Sequence, residues 1–293
     1  MEKATTRLRN LLRREQALVA AGAFGPMPAK LVEQAGFEAV YVPGGGTALA
    51  RFGIADVGLV TMTEMVDNAA AIARSVQVPV IADADTGFGN QLNVRRTVRE
   101  YELAGVAAIH IEDQVFPKKC GQLSGKSVIP MDEAVQKIRS AVDARSDPDF
   151  VVIARCDALT VEGMDATVRR GKAYLEAGAD MLFIESPRSL EEITEIPRRL
   201  PGAHLFNMSA SGKTPILSEE EVTRLGYKIM ILPNYTALAA IKAISEVLVE
   251  IKRSGTVATI LDRCASFKDF TALGDLEGFL SVERRFAAAD HKN

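Results

Sequence analysis

Apolar residues in this chain come in short runs rich in β-branched side chains. Longer stretches with helical spacing separate them. Eight runs read as strands: Ala17–Ala21, Ala39–Val42, Val78–Ala82, Ala107–Ile111, Phe150–Ala154, Met181–Ile184, His204–Phe206 and Ile229–Leu232. The runs are continuous rather than alternating, which marks parallel strands covered on both faces. Four times a helical stretch ends in Gly and a strand begins two or three residues later, at Gly36, Gly105, Gly178 and Gly226. Glycine one position past a helix permits the left-handed turn that stops it. Eight strands and four such joints predict a (β/α)₈ barrel, with an open doubly wound sheet as the competing architecture. The chain reads as one domain, 1–293. Ala237–Ser254 reads as a long helix after the last strand. Val257–Ala289 continues as mostly helical sequence, so 257–293 is a C-terminal extension.

Composition narrows the function class. A length of 293 residues suits a single barrel. The net charge of −3 gives no nucleic-acid or membrane footprint. No run is long enough for a membrane span. The N-terminal stretch lacks the apolar core of a signal peptide. Cys120, Cys156 and Cys264 are isolated, which fits a reducing cytoplasm and neither a disulfide framework nor a zinc-type spacing. The expected partner is therefore a small molecule.

Barrels place their chemistry at the C-terminal ends of the strands. Strand three runs out through Asp83 and Asp85, strand four through His110, Glu112 and Asp113, and strand five through Arg155, Cys156 and Asp157. Strand six ends in Glu185, strand seven in Asn207 and Ser209, and strand eight in Asn234. Asp83 and Asp85 are two apart and would face the same way on a strand. With Glu112 they form an oxygen-only acidic set, which favours Mg²⁺ or Mn²⁺ over zinc. Arg155 is either an anion clamp for a substrate carboxylate or an ion-pair partner of Glu185 or Asp157. Gly44-Gly45-Gly46 is either an anion-binding backbone loop or a plain turn. Lys118-Lys119-Cys120-Gly121-Gln122 lies on a long segment that reads as a lid. Two neighbouring lysines would favour the Cys120 thiolate; the alternative is an incidental cysteine. Cys156 faces away from Arg155 and belongs to the core. His110 is a structural histidine or an interior ligand, and Tyr41 a substrate contact or a packing residue.

The strings Asp83-Ala84-Asp85-Thr86-Gly87-Phe88-Gly89, His110-Ile111-Glu112-Asp113-Gln114, Lys118-Lys119-Cys120-Gly121 and Ala154-Arg155-Cys156-Asp157-Ala158 together resemble the isocitrate lyase/phosphoenolpyruvate mutase superfamily. The resemblance is closest to its 2-methylisocitrate lyases and to its dimethylmalate lyase and oxaloacetate hydrolase branch. It implies a Mg²⁺-dependent lyase that cleaves a carbon–carbon bond in a 2-hydroxy di- or tricarboxylate. Asp85, with Asp83, Glu112 and Asp56, would serve the metal. Gly44, Gly45, Arg155, Asn207, Ser209, Lys118 and Gly121 would meet the substrate. Cys120 would be the general acid on a gating loop, with Glu185 and Arg155 beside it and Tyr41 as base. The resemblance also implies a homotetramer that exchanges the last barrel helix. Two positions depart from the lyase pattern: Gln122 stands where His is usual, and Pro43 where Ser opens the glycine segment. Hydrolysis or decarboxylation of oxaloacetate is the second reading, and phosphonopyruvate chemistry or a non-catalytic binding protein the remaining ones.

Overall fold

A computed structural model describes residues 2–287; the last part of the tail expected through Ala289 lies outside them. The chain begins with α1 (Ala4–Leu12), β1 (Leu18–Gly22), α2 (Pro26–Gln34), β2 (Ala39–Val42) and α3 (Gly44–Thr47). One π-helical turn, Ala48–Phe52, leads to α4 (Met62–Ser75), β3 (Val80–Asp83), α5 (Gln91–Leu103), β4 (Ala108–Glu112), α6 (Met131–Ala144) and β5 (Val151–Cys156). Next come α7 (Leu159–Glu162), α8 (Met164–Glu176), β6 (Met181–Ile184), α9 (Leu190–Arg199), β7 (Ala203–Asn207), α10 (Glu219–Arg224) and β8 (Ile229–Leu232). The chain continues through α11 (Tyr235–Ser254), α12 (Phe267–Leu273) and α13 (Leu276–Phe286).

The eight strands close a parallel barrel in sequence order. β8 returns to β1 with Leu18 opposite Ile229 and Ala20 opposite Ile231. Pleating sorts each strand into two faces. One buried cluster takes residues from all eight strands, among them Leu18, Ala20, Tyr41, Ile81, Ile153, Phe183, Ile229 and Ile231, and so fills the interior. Leu8 and Leu11 of α1 join that cluster. The alternate residues face the helices: Phe206 and Met230 pack with Ile193 and Val222, and Cys156 with Tyr174 and Ile196.

The four glycine joints have one geometry. Gly36, Gly105, Gly178 and Gly226 all have φ between +84° and +98°. The following amide bonds back to the helix, as in Phe37 N–H to Val32 O and Ala179 N–H to Tyr174 O, at 3.3 and 3.1 Å. This paired closure satisfies the last helical carbonyls. At the other ends, Thr61 with Glu64 and Ser218 with Glu221 close capping boxes on α4 and α10.

The chain divides into two compact units at Ala237 and Leu238, whereas the expected extension starts at 257. The first unit is the barrel. In the second, α11, α12 and α13 bury none of their residues. Leu238, Ile241, Ile244 and Leu248 repeat at helical spacing along α11 and are all exposed. Among the described residues no helix is long and apolar enough to cross a membrane.

Candidate active site

The site is built where β3, β4, β5 and β6 run out, with a lid of residues 113–130 lying across it. Asp83, the last residue of β3, is buried. Its carboxylate accepts hydrogen bonds from the amides of Gly44 (3.2 Å) and Asp85 (2.9 Å). Burial opposes its charge, but His110, Lys118, Arg155 and the Asp85 amide outweigh burial and hold its pKa down at about 2. Asp85 lies past the strand end with φ +44°. Alternation along a strand therefore does not place it, as the sequence suggested; a left-handed turn does. Burial, resisted by Lys118 and reinforced by Asp83 and Asp56, raises its pKa to about 6. The end of β4 supplies Glu112, fully buried and pushed well above the ordinary carboxylate range by burial.

The cation among these acids is Lys118. Its ammonium pairs with Asp56 and lies 2.8 Å from Asp85 Oδ1. Burial works against its charge, yet Asp85, Glu112, Asp56 and Asp83 together raise its pKa well above the usual value. Among the described residues no three acidic, His or Cys side chains form a ready-made metal-ligand set. Asp83, Asp85, Glu112 and Asp56 instead share one charged cluster whose balance comes from Lys118 and Arg155. The donor set nevertheless fits a hard divalent ion. Asp85 Oδ1 and both Glu112 oxygens are buried, and apart from the ion pairs with Lys118 and Arg155 they have no hydrogen-bond partner. Unmet carboxylate oxygens are what Mg²⁺ or Mn²⁺ seeks.

Arg155 points inward from β5. Its Nε and Nη2 fork Asp157 at 2.9 and 3.2 Å, and its Nη1 lies 3.1 Å from Glu112. The ion-pair alternative for Arg155 is thus the arrangement found, with Asp157 and Glu112 rather than Glu185 as its partners. The guanidinium also rests over the Phe183 ring, 5.2 Å from its centroid. Tyr41 donates to or accepts from His110 Nε2 at 2.8 Å. Burial and the nearby Asp83 raise the Tyr41 pKa well above its usual value, which works against the base role. Burial lowers His110 to about 4, so it is a neutral interior histidine. The three glycines form the first turn of α3 rather than a loop. A Cβ at Gly44 would stand 2.8 Å from Asp83 Oδ2, and one at Gly45 would stand 3.4 Å from Asp56.

The lid is docked. Cys120 N–H donates to Asp56 O at 3.1 Å, and the Gly121 carbonyl accepts from Ser186 Oγ at 2.9 Å. A Cβ on Gly121 would lie 2.5 Å from both Arg155 Nη2 and Glu185 Oε1, so glycine is needed for this approach. Gln114 Nε2 and Lys126 Nζ both reach Asp157, at 3.2 and 2.8 Å. The expected thiolate bias at Cys120 reverses: burial raises its pKa. The physical reason is that the flanking lysines turn elsewhere, Lys118 to the acids and Lys119 to the Gly125 carbonyl. Glu185 accepts from Gln122 Nε2 (2.6 Å), Ser186 Oγ (2.9 Å) and Asn207 Nδ2 (3.1 Å).

Cys120, Arg155, Glu185, Lys118, Gly121, Asn207, Asp56, Asp83, Asp85, Glu112, Gly44 and Gly45 therefore belong to one neighbourhood. Ser209 is tied to it only through its main chain, its amide donating to the Asn207 carbonyl at 2.9 Å, while its hydroxyl accepts from the Ser211 amide in its own loop. Sequence reasoning missed Ser186, Lys126 and Ser211 as partners of the site. Ser186, at φ +61°, carries no sequence signal, because no pattern announces a left-handed serine.

A family model described as phosphoenolpyruvate phosphomutase matches residues 8–252. Over 281 residues the chain is 48 % identical to the 2,3-dimethylmalate lyase of Eubacterium barkeri, covering 96 % of this chain and 97 % of that one. It is 44 % identical over 292 residues to the 2-methylisocitrate lyase of Aeropyrum pernix, covering 100 % of this chain and 93 % of the other. A solved structure of an oxaloacetate acetylhydrolase, bound to the inhibitor 3,3-difluorooxalacetate, superposes with a TM-score of 0.92 at 35 % identity, covering 98 % of each chain.

Proposed function

The chain belongs to the phosphoenolpyruvate mutase/isocitrate lyase superfamily and is a carbon–carbon lyase, and from that premise we propose that it cleaves an alkylmalate- or 2-methylisocitrate-like acid. The products are a 2-oxo acid such as pyruvate and a second carboxylate. The observation that carries this reading is Cys120, a thiol kept protonated by burial on a lid docked against Asp56, Arg155 and Glu185.

Cleavage turns the 2-hydroxyl into the carbonyl of the 2-oxo acid, its proton passing to a base, and the electron pair of the broken bond stays as a carbanion on the departing carbon. A neutral thiol at that point donates its proton, which is general acid catalysis. Arg155 and Lys118 supply the positive charge that meets the substrate carboxylates and the developing enolate. The docked lid excludes water that would otherwise quench the carbanion. Asp85, with Asp83, Glu112 and Asp56 near it, would hold Mg²⁺ or Mn²⁺. When bound, such an ion supplies Lewis-acid polarisation of the substrate's oxygens. The 2-oxo acid carboxylate faces the Gly44-Gly45 turn in this reading, and Asn207 with Ser209 borders the distal end.

Two features support assembly into the proposed helix-swapped homotetramer. A groove of about 440 Å³ beside the β8–β1 seam is lined by Val19, Phe37, Met230 and Leu232, with Arg14, Glu38 and Glu219 among its polar lining residues. The Leu238-Ile241-Ile244-Leu248 stripe of α11 is uncovered, and an exposed apolar stripe of this kind marks an interface. The free state of Cys120, Cys156 and Cys264 supports a reducing, cytoplasmic setting.

The test is release of pyruvate from 2,3-dimethylmalate, other alkylmalates and 2-methylisocitrate, with and without EDTA. Turnover that EDTA abolishes supports both the lyase and the metal. Oxalate and acetate from oxaloacetate, with no alkylmalate cleavage, would replace this reading with the hydrolase one, which the likeness to oxaloacetate acetylhydrolase supports.

A further inference from the structure

One lid side chain holds three parts of the site together. Gln122 Nε2 donates to Glu185 Oε1 at 2.6 Å, at the end of β6. Its Oε1 accepts from Ser211 Oγ at 2.8 Å, and its main-chain carbonyl accepts from Lys213 Nζ at 2.5 Å. Ser211 and Lys213 belong to the segment between β7 and α10. The amide thus uses its donor and its acceptor in opposite directions, which a primary amide can do and a hydroxyl or ammonium cannot do with the same reach.

The second bonded group matters as much as the first. Glu185 also accepts from Ser186 and Asn207, so its three hydrogen-bond donors are all neutral. No donor adds a charge of its own, and the carboxylate keeps one fixed orientation beside Arg155. Hydrogen bonds to a charged acceptor are the stronger kind, so Gln122 is more than a spacer.

We infer that Gln122 is a positioning residue that clasps the lid to the β7–α10 segment and orients Glu185 only when both segments are in place. Closure of the lid and ordering of the 208–217 segment then become one event, and a substrate whose distal end disturbs Ser211 or Lys213 also fails to close the lid over Cys120. This deepens the lyase reading and rests on it for its catalytic consequence; the clasp itself does not depend on turnover.

The test is a double-mutant cycle in the full-length protein with Gln122→Ala, Ser211→Ala and the pair. Two readouts are taken: native-state trypsin cleavage after Lys118, Lys119 or Lys126, located by mass spectrometry, and kcat and KM for 2,3-dimethylmalate. Gln122→Ala should be cut in the lid at least about tenfold faster than wild type. Its kcat should fall roughly ten- to hundredfold, the scale of one hydrogen bond to a charged group, with KM moving less than about threefold because closure follows binding. Ser211→Ala should move both readouts the same way by less, and the double variant should be no worse than Gln122→Ala. Losses that simply add, or a Gln122→Ala lid as resistant as wild type, overturn the inference. If wild type turns over none of the acids, the lyase reading fails, and the tryptic half of the cycle alone decides for or against the clasp.

Discussion

Replacing Gly121 by Ala should lift the lid while leaving the barrel folded. Gly121 is not among the residues with positive φ, so alanine meets no backbone penalty there. The obstacle is space: the new Cβ would sit 2.5 Å from Arg155 Nη2, 2.5 Å from Glu185 Oε1 and 2.7 Å from Glu185 Cδ. Neither neighbour is free to yield. Arg155 is forked by Asp157, and Glu185 is held by Ser186 and Asn207. The lid backbone must withdraw instead, and it gives up the Ser186–Gly121, Gln122–Glu185 and Cys120–Asp56 hydrogen bonds. One bond to a charged group and two neutral ones are together worth roughly 3 kcal/mol. At about 1.4 kcal/mol per decade that is on the order of a hundredfold in kcat/KM. The assay is pyruvate release from 2,3-dimethylmalate beside thermal unfolding. A melting point lowered by no more than about 10 °C, so that the barrel stays folded at the assay temperature, with a large loss of turnover is expected. Turnover within about threefold of wild type would refute the idea that the lid must reach this position.

Three further perturbations follow from the same geometry. Cys120→Ala should reduce cleavage by roughly 10²- to 10⁴-fold while calorimetric Mg²⁺ binding is unchanged; near-normal turnover removes Cys120 as the acid. Lys118→Met withdraws the ammonium from Asp85 and Asp56, so its melting point should rise more steeply with added Mg²⁺ than wild type's; equal responses in the two proteins count against shared use of those carboxylates. His110 is held neutral, with its pKa lowered from 6.5 to about 4 chiefly by burial. A histidine with a depressed folded pKa contributes stability at neutral pH that is lost as pH falls from about 6.5 to about 4. The loss is on the order of 3 kcal/mol. Other buried groups titrate in both proteins, so the reading is the difference: denaturant unfolding of wild type and His110→Asn should diverge across that window, wild type losing about that much more toward pH 4, and parallel curves would contradict it.

The barrel was largely legible in the sequence because burial on both faces writes each strand as an uninterrupted apolar run. Ala39–Val42, Met181–Ile184 and Ile229–Leu232 coincide with the observed strands, and the other five differ by one or two residues at each end. The inward and outward assignments of Arg155 and Cys156 followed from the same alternation. What was not legible depends on where flexible side chains go after the backbone is placed. Nothing local says that Lys118 turns into the acids while its neighbour Lys119 turns away, yet that choice reverses the electrostatics of Cys120. The same holds for Asp157, whose partners Gln114 and Lys126 are brought to it by a long loop rather than by strand spacing. Gly44-Gly45-Gly46 misled for a different reason: glycine's usual meaning is a loop, but here small size lets a helix start against Asp83 and Asp56.

The glycine turns that stop four helices all sit on the rim from which the strands start, while the acids, the thiol and the lid sit on the rim where the strands finish. One end of the cylinder is thus answerable to folding and the other to chemistry. Selection for a new acid can redraw the upper loops while the lower ones stay as they are. Conversely, an engineer seeking heat resistance can stiffen the lower rim with little risk to catalysis.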